Sequence, residues 1–339
     1  MTEQSDNSRN PDWSSLQKDL TREVDGEVRF DRGSRAMYSC DASNYRHIPI
    51  GVVIPRSTDA VVAAIAVCRR HNAPLFSRGG GTALSGQTCN EAVVLDFSKY
   101  LNRILEIDPV RKVARVQPGV ILDHLRDAAA EFDLTYGPDP ATHTHNTFGG
   151  MIGNNSCGIH SVMAGRTADN TIELDVLTYD GLRMRVGATS DGERERIIAA
   201  GGRRGQIYAG MTAIRDRYAD LIRRRYSDIP RRVSGYNLDD LLPEKSFQVA
   251  RALVGSEGTL VTVLEATVRL VYSWPGRTLV VLGYPDVYAA ADHIPEIMDH
   301  GPVGCEGLDD KLIRFMKEKH LHLRDLPLLP DGKGWLMVE

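Results

Sequence analysis

The sequence predicts an α+β protein, and three patterns support this class. A short apolar strand at residues 51–54 precedes a helix that Ser57 caps, with apolar residues at helical spacing. Two apolar segments flank Asp180-Gly181, a pair typical of a type I′ hairpin turn. Residues 264–270 alternate apolar and polar, which is typical of a half-buried strand. Because strands and helices mix without strict alternation, we expect α+β subdomains.

The same patterns place the other elements in chain order. The predicted helices cover residues 13–24, 120–133 and 287–300, and a further helix follows Ser57 with Val61, Ile65 and Cys68 on one face. The predicted strands cover residues 51–54, 74–77, 92–97, 103–107, 172–179, 182–186, 264–270, 279–282 and 335–338. A tail and helical arm (1–46) would precede a small subdomain (47–110) and a larger one (111–274). A further α+β unit would begin at residue 275.

Composition excludes several classes of protein. The 339 residues carry a net charge of −4, which implies no general attraction to nucleic acid, and no apolar segment reaches the length of a membrane span. Residues 1–10 are polar and read as a loose tail without a signal-peptide core. The five cysteines form no C-x-x-C pair, so neither a disulfide framework nor an iron–sulfur site is expected, and a reducing cytoplasm fits best.

The most informative motif is a glycine-rich loop at residues 78–87, called the first loop below. Three consecutive glycines at 79–81 let backbone N–H groups approach an anion, and Arg78, Thr82 and Ser85 can add hydrogen bonds. The loop therefore predicts a phosphate or pyrophosphate cradle. It lacks the closing Gly-Lys-Ser/Thr of a P-loop and the spacing of a Rossmann fingerprint. A flexible surface loop is the alternative.

Two later segments are also rich in glycine: residues 139–158, the second loop, and Gly255-Ser256-Glu257-Gly258, the third loop. In this order the three loops resemble the FAD-binding domain of the p-cresol methylhydroxylase type, in the vanillyl-alcohol oxidase superfamily. Within it the chain resembles FAD-linked D-lactate dehydrogenases, bacterial glycolate oxidases and D-2-hydroxyglutarate dehydrogenases. The resemblance extends from about Ile48 to Tyr272. It implies a two-subdomain FAD-binding domain followed by the beginning of a cap domain.

The resemblance also implies which residues contact FAD. They are Arg78, Gly79, Gly80, Gly81, Thr82, Ser85, Gly86, Pro140, Thr147, Gly149, Gly150, Asn154, Ser156, Gly158, Glu257, Gly258 and Val263. Thr82 stands where some relatives carry a histidine bonded to FAD, so we expect the cofactor to be non-covalent. Val261 replaces a family glycine, which leaves the contacts around it open.

Catalytic and metal-binding residues are harder to assign. His143 and His145 alternate along an extended segment, but without a third ligand we expect hydrogen-bonded loop histidines and no metal site. The same holds for His320 and His322. We expect Cys157 to be a small buried residue.

In the resembling enzymes the catalytic base belongs to a downstream motif that this sequence lacks, so Tyr236 and His145 are the candidates here. Asn237 is a further substrate-side candidate.

The resemblance implies oxidation of a 2-hydroxy acid by hydride transfer to flavin N5. Electrons would pass to an unidentified acceptor outside the chain, for which an iron–sulfur domain or subunit is one candidate. Peripheral association with a membrane stays open. One alternative is a sugar or alditol oxidase on the same fold. Another is a truncated FAD-binding chain without turnover, since we expect a complete relative to continue well beyond residue 339.

Overall fold

The structure is a computed structural model that describes residues 13–339, so the predicted tail at residues 1–10 lies outside the described residues. Helices and strands mix as predicted, which confirms the α+β class. Within residues 13–339, no helix is both long and apolar enough to cross a bilayer. The described residues form three sheets of three to five strands and one two-stranded sheet.

The first sheet contains four strands and carries the first loop. Its elements are α1 (Ser14–Glu23), β1 (Gly26–Arg29), α2 (Arg32–Met37), β2 (Gly51–Pro55), α3 (Thr58–Arg70), β3 (Leu75–Arg78) and β4 (Val93–Asp96). The strand order is β1-β2-β4-β3, with β1 antiparallel and the others parallel. Ser57 caps α3 by accepting a hydrogen bond from the Ala60 N–H, as predicted. Apolar residues of α1 and α3 share one core with β4.

The second sheet is five-stranded and antiparallel, in the order β5-β6-β10-β8-β9. The elements of this region are β5 (Ile104–Asp108), β6 (Val113–Val116), α4 (Leu122–Ala130), β7 (Leu134–Thr135), α5 (Phe148–Asn154), α6 (Ser161–Ala164), α7 (Thr167–Asn170), β8 (Thr171–Leu177), β9 (Arg183–Val186), α8 (Asp191–Ala200), α9 (Gly202–Arg225), α10 (Val249–Leu253), β10 (Thr262–Arg269) and β11 (Val271–Tyr272). Alternate residues of β10 are buried, as the pattern predicts.

A three-stranded antiparallel sheet, ordered β12-β14-β13, follows. Its elements are β12 (Val280–Tyr284), α11 (Val287–Asp292), α12 (Ile294–Met298), β13 (Cys305–Asp309), α13 (Asp310–Glu318) and β14 (Gly334–Val338). The single helix predicted for residues 287–300 is therefore wrong. It divides at His293, which ends α11 and precedes the Pro295 at the start of α12. Proline suits the first turn of a helix but interrupts a helix interior.

Two further predictions in the second region need correction. The hairpin of β8 and β9 exists, but only Gly181 of the Asp180-Gly181 pair has a positive φ, +92°. A type I′ turn requires positive φ at both central residues, so the predicted turn type is wrong. The 24-residue helix α9 was not predicted. Its last turn contains the basic cluster Arg223-Arg224-Arg225.

Candidate functional site

The three glycine loops meet in one cleft. The first loop enters from the end of β3, the second through α5, and the third from the connection between α10 and β10. The cleft therefore lies between the first and second sheets. The sequence alone does not show that the loops share a cleft, because the first and third loops are far apart in the chain.

Two glycines of the first loop are required by close packing. A Cβ on Gly79 would lie 1.9 Å from the Thr147 Oγ1, and a Cβ on Gly80 would lie 2.2 Å from the His145 carbonyl oxygen. Gly81 differs because its φ is +65°, a conformation that favours glycine. The absence of side chains thus lets the first loop lie directly against the backbone of the second.

The backbone of the first loop supplies unpaired donors. None of the N–H groups of residues 79–83 donates a hydrogen bond to another described group of the protein. These residues line the cleft, and unpaired backbone donors require a partner or water. Across the cleft, Gly258 has φ +75° and open space where a Cβ would stand. The cleft therefore offers a side-chain-free wall and a run of N–H donors, which fits a pyrophosphate-containing cofactor.

Arg78 is held differently from the sequence interpretation, which placed its guanidinium on a phosphate. Its Nη2 donates to the Cys40 carbonyl at 2.7 Å, and its Nη1 donates to the carbonyls of Thr88 at 3.1 Å and Tyr38 at 3.2 Å. The guanidinium also lies 5.3 Å from the centre of the Tyr38 ring. Arg78 lines the cleft, but its hydrogen bonds to Tyr38 and Cys40 connect the arm before β2 to the first loop.

Two polar links also hold the first loop. The Gln87 amide Nε2 donates to the Glu257 Oε1 at 3.2 Å, which joins the first and third loops. Thr88 Oγ1 donates to Asp41 Oδ2 at 2.8 Å, which joins the loop to the arm. Burial acts to raise the pKa of Asp41, but hydrogen bonds from Ser43 and Thr88 outweigh it and lower the pKa. A charged Asp41 thus anchors the end of the loop.

The structure brings most of the predicted cofactor residues together. Those that line the cleft are Arg78, Gly79, Gly80, Gly81, Thr82, Thr147, Gly149, Gly150, Asn154, Glu257, Gly258 and Val263. Those that lie outside its lining are Ser85, Gly86, Pro140, Ser156 and Gly158.

The residues outside the lining have other contacts. A Cβ on Gly86 would meet the Tyr45 ring at 2.7 Å, and one on Gly158 would meet the Asp139 backbone at 2.2 Å. These two glycines permit packing beside the cleft. Ser85 is exposed, and its N–H donates to the Gln87 Oε1 at 3.2 Å.

The candidate catalytic residues do not line the cleft. Tyr236 Oη lies 2.9 Å from the Thr259 Oγ1, and the side chain is 42% exposed. His145 Nδ1 lies 2.6 Å from the Thr144 Oγ1, and His143 Nδ1 lies 2.7 Å from the Asp123 Oδ2. Both histidines therefore have hydrogen-bond partners, as expected for loop histidines. Cys157 is half-buried, so the expectation of a buried thiol is wrong.

Sequence reasoning missed part of the lining. The missed residues are Ser77, Ala83, Gln87, Thr88, Phe97, Pro118, Ile152, Gly153, Leu253 and Ser256. Val261, whose contacts the sequence left open, also lines the cleft. Most of the missed residues are direct neighbours of predicted residues, so the glycine loops themselves carried a signal for them. Phe97 and Pro118 follow strands β4 and β6, and only the tertiary structure brings them to the cleft.

A second cavity lies between the second and third sheets and is lined by Tyr136, His160, Trp274, Arg277 and Glu339, among others. His160 Nδ1 bonds to the Asp139 carboxylate, and its Nε2 lies 3.4 Å from the Glu339 Oε2. The bond to Asp139 raises the pKa of His160 above its usual 6.5, against the opposing effect of burial. His160 thus connects the second loop to the end of β14.

Comparison with known proteins identifies the fold of the cleft. Residues 49–187 match the FAD binding domain family. The chain is 30% identical over 292 residues to D-2-hydroxyglutarate dehydrogenase of Pseudomonas putida, covering 85% of this chain and 29% of that protein. It is 32% identical over 329 residues to glycolate oxidase subunit GlcD of Bacillus subtilis, covering 95% and 58%. It is 29% identical over 248 residues to D-lactate dehydrogenase of Archaeoglobus fulgidus, covering 73% and 44%.

A solved structure of alkyldihydroxyacetonephosphate synthase superposes with a TM-score of 0.64 over 97% of this chain and 56% of that one. At 15% identity this likeness shows the fold alone. The chain spans less than two thirds of the length of these curated relatives.

Residues 49–187 therefore form an FAD-binding domain of the p-cresol methylhydroxylase type, and FAD is the cofactor. Beyond this domain, the chain is similar to D-2-hydroxyglutarate dehydrogenase, glycolate oxidase subunit GlcD and D-lactate dehydrogenase.

Proposed function

We propose that the protein is an FAD-dependent dehydrogenase that oxidises a 2-hydroxy acid. D-lactate, glycolate and D-2-hydroxyglutarate are the leading candidate substrates. The observation that carries the proposal is the convergence of three glycine loops on one cleft with a run of unpaired N–H donors. The names of the similar proteins support the substrate class, because all three act on short 2-hydroxy acids or are named for doing so.

The first loop would hold the pyrophosphate through the N–H groups of residues 79–83. Thr82 lines the cleft and would add a hydroxyl donor. Val261 and Val263 at the start of β10 provide apolar wall for a flat ring, while Gly149, Gly150 and Gly258 keep side chains out of the cleft. Because no histidine stands at position 82, FAD would be bound without a covalent link.

When bound, FAD supplies flavin N5 as the acceptor for a hydride from the α-carbon of the acid. The contribution of this chain is to bind and orient the cofactor by backbone donors and to shield it between two sheets. Orientation of this kind lowers the entropic part of a reaction barrier. Division of the chain into an FAD-binding domain (47–274) and a following cap unit (275–339) is part of the proposal.

The cofactor test is a titration of the apoprotein with FAD, followed by acid precipitation. We expect saturable quenching of flavin fluorescence and recovery of intact FAD in the supernatant. Flavin that remains with the precipitate would contradict non-covalent binding. Failure to bind FAD under any refolding condition would contradict the whole proposal.

The substrate test follows anaerobic bleaching of the flavin absorbance in the gene product expressed from its own reading frame. The three 2-hydroxy acids are compared with an alditol and a sugar at equal concentration. Bleaching by one of the acids alone supports the proposal, whereas bleaching by the alditol or sugar alone replaces it with the oxidase alternative. The electron acceptor, which we propose to be an iron–sulfur domain or subunit, is then found by testing acceptors. A reducing cytoplasm is the proposed location, since all five cysteines are free thiols.

A further inference from the structure

A third cavity lies at the far end of the second sheet from the FAD cleft and contains about 910 Å³ of empty space. Its lining includes Arg185 on β9, Arg204 on α9, Arg251 on α10 and Arg269 at the end of β10. We call it the arginine pocket. Val263 in the FAD cleft and Arg269 in this pocket lie on the same strand, six residues apart, which is roughly 20 Å at about 3.4 Å per residue. The two cavities are therefore separate.

The arginine pocket has excess positive charge. Its four arginines face two carboxylates, Glu173 and Glu193. One arginine is compensated locally, because Arg185 Nε lies 3.3 Å from the Glu173 Oε1. Among the described residues, the other three form no ion pair within the pocket. The side chains that line the pocket carry a formal net charge of +2, whereas the whole protein has a net charge of −4.

The three remaining arginines are held in ways that leave donors free. The Arg204 guanidinium lies 5.7 Å from the centre of the Tyr208 ring, a cation–π distance that does not require its N–H groups. Arg251 Nη2 donates to the Asp169 carbonyl at 3.3 Å, but its buried Nε has no hydrogen-bond partner. The positive charge of Arg251 also attracts the carboxylates of Asp169 and Asp240, which do not line the pocket. Arg269 is exposed at the end of β10.

Arginines that line one cavity can bind oxyanions through paired, charge-assisted hydrogen bonds. A buried donor without a partner also carries a cost that a ligand oxygen or water can remove. We propose that the arginine pocket is an anion-binding site for a phosphoryl group, distinct from the pyrophosphate site of FAD. The amide of Gln248 also lines the pocket and can add a neutral hydrogen bond.

The test measures binding of inorganic phosphate to the FAD-saturated protein by calorimetry, with sodium chloride at matched ionic strength as the reference. FAD saturation blocks the first cleft, so phosphate binding there does not interfere. We expect saturable phosphate binding that chloride does not reproduce. In the double variant Arg204→Gln with Arg269→Gln, the affinity should fall roughly tenfold or more, because the variant removes two sources of charge-assisted hydrogen bonds.

Two further variants separate a binding site from a general effect of charge or folding. Arg217→Gln is the matched control, because Arg217 also lies on α9 and over a tyrosine ring, at 5.1 Å from Tyr218, but outside the pocket. Its phosphate affinity should equal that of the wild type. Glu193→Gln removes a negative charge from the lining and should strengthen binding roughly two- to fivefold. A folding defect does not produce tighter binding.

Three outcomes would overturn the proposal. They are absence of saturable phosphate binding, equal affinity in the double variant and the wild type, and equal losses in the double variant and the Arg217→Gln control. Each of these is independent of substrate oxidation, so failure here and failure of the proposed dehydrogenase activity can be told apart.

Discussion

The first and third loops of the FAD cleft both contain glycine, but for different physical reasons. In the first loop, Gly79 and Gly80 allow a contact with the second loop that leaves no room for a Cβ. In the third loop, Gly258 has open space around it and a φ of +75°, so it is required by backbone conformation. A glycine-rich motif thus combines packing and conformational requirements that a sequence alone does not separate. Variants can separate them.

The largest effect is expected at Gly80. Gly80→Ala would place a Cβ 2.2 Å from the His145 carbonyl oxygen, and backbone on both sides limits relaxation. We expect a loss of roughly 1–3 kcal/mol in the free energy of unfolding, typical of overpacking, together with loss of FAD affinity. Urea unfolding of the apoprotein and FAD titration measure the two effects. The contact therefore predicts that both folding and FAD binding are affected.

Gly210→Ala is the matched control for Gly80→Ala. Gly210 lies inside α9 with no atom within 4 Å of an added Cβ. Alanine in a helix interior is favoured over glycine by about 0.5–1 kcal/mol, so this variant should be stabilised and should bind FAD normally. A similar free energy of unfolding in both variants would show that the first loop can shift to accept a Cβ without loss of stability. The packing explanation would then fail.

Arg78 comes next in expected size. Because its guanidinium bonds three backbone carbonyls, Arg78→Ala should destabilise the apoprotein by roughly 1–3 kcal/mol and weaken FAD binding through disorder of the first loop. Direct contact with phosphate predicts the opposite pattern: unchanged stability of the apoprotein and weaker FAD binding. Thermal unfolding without FAD, compared with FAD titration, decides between the two roles.

A smaller effect is expected at Gly258, and Gly235 is its closest match. Their φ values are +75° and +74°, and neither has an atom within 4 Å of an added Cβ. Alanine at either position should cost about 1–2 kcal/mol of stability from left-handed strain. Only Gly258 lines the cleft, so only Gly258→Ala should also lower FAD affinity. Equal FAD affinity in the two variants would show that the third loop does not contact the cofactor.

The smallest effect concerns His160. The pKa of His160 is higher in the folded protein than its usual value of 6.5. Protonated His160 therefore stabilises the folded protein fully at pH values below 6.5, and this stabilisation is lost as the pH rises through the pKa of the folded state. The difference in Tm between the wild type and His160→Gln should therefore shrink as pH increases.

His300→Gln, in the same cavity and without an ion pair among the described residues, is the control for His160→Gln. A Tm difference that is constant with pH for His160→Gln would contradict the assignment.

Much of the fold and of the cleft could be predicted from the sequence, because the relevant signals are local. Periodic apolar residues marked β2, α3 and β10, and runs of glycine marked the three loops. Non-local contacts could not be predicted. Arg78 bonds carbonyls about 40 positions earlier in the chain, and Phe97 and Pro118 reach the cleft only through the packing of two sheets. Helix α9 was missed because charged residues occur along most of its length.

The arm before β2 has a consequence for how the protein can be divided. The family match begins at residue 49, but β1 pairs with β2, and Tyr38 and Cys40 supply carbonyls to Arg78. The intervening residues 44–48 are exposed. A protease cut there should leave the two pieces bound to each other. Fragment complementation then becomes feasible, in which a separate peptide of residues 13–43 restores FAD binding to a chain that begins at residue 49.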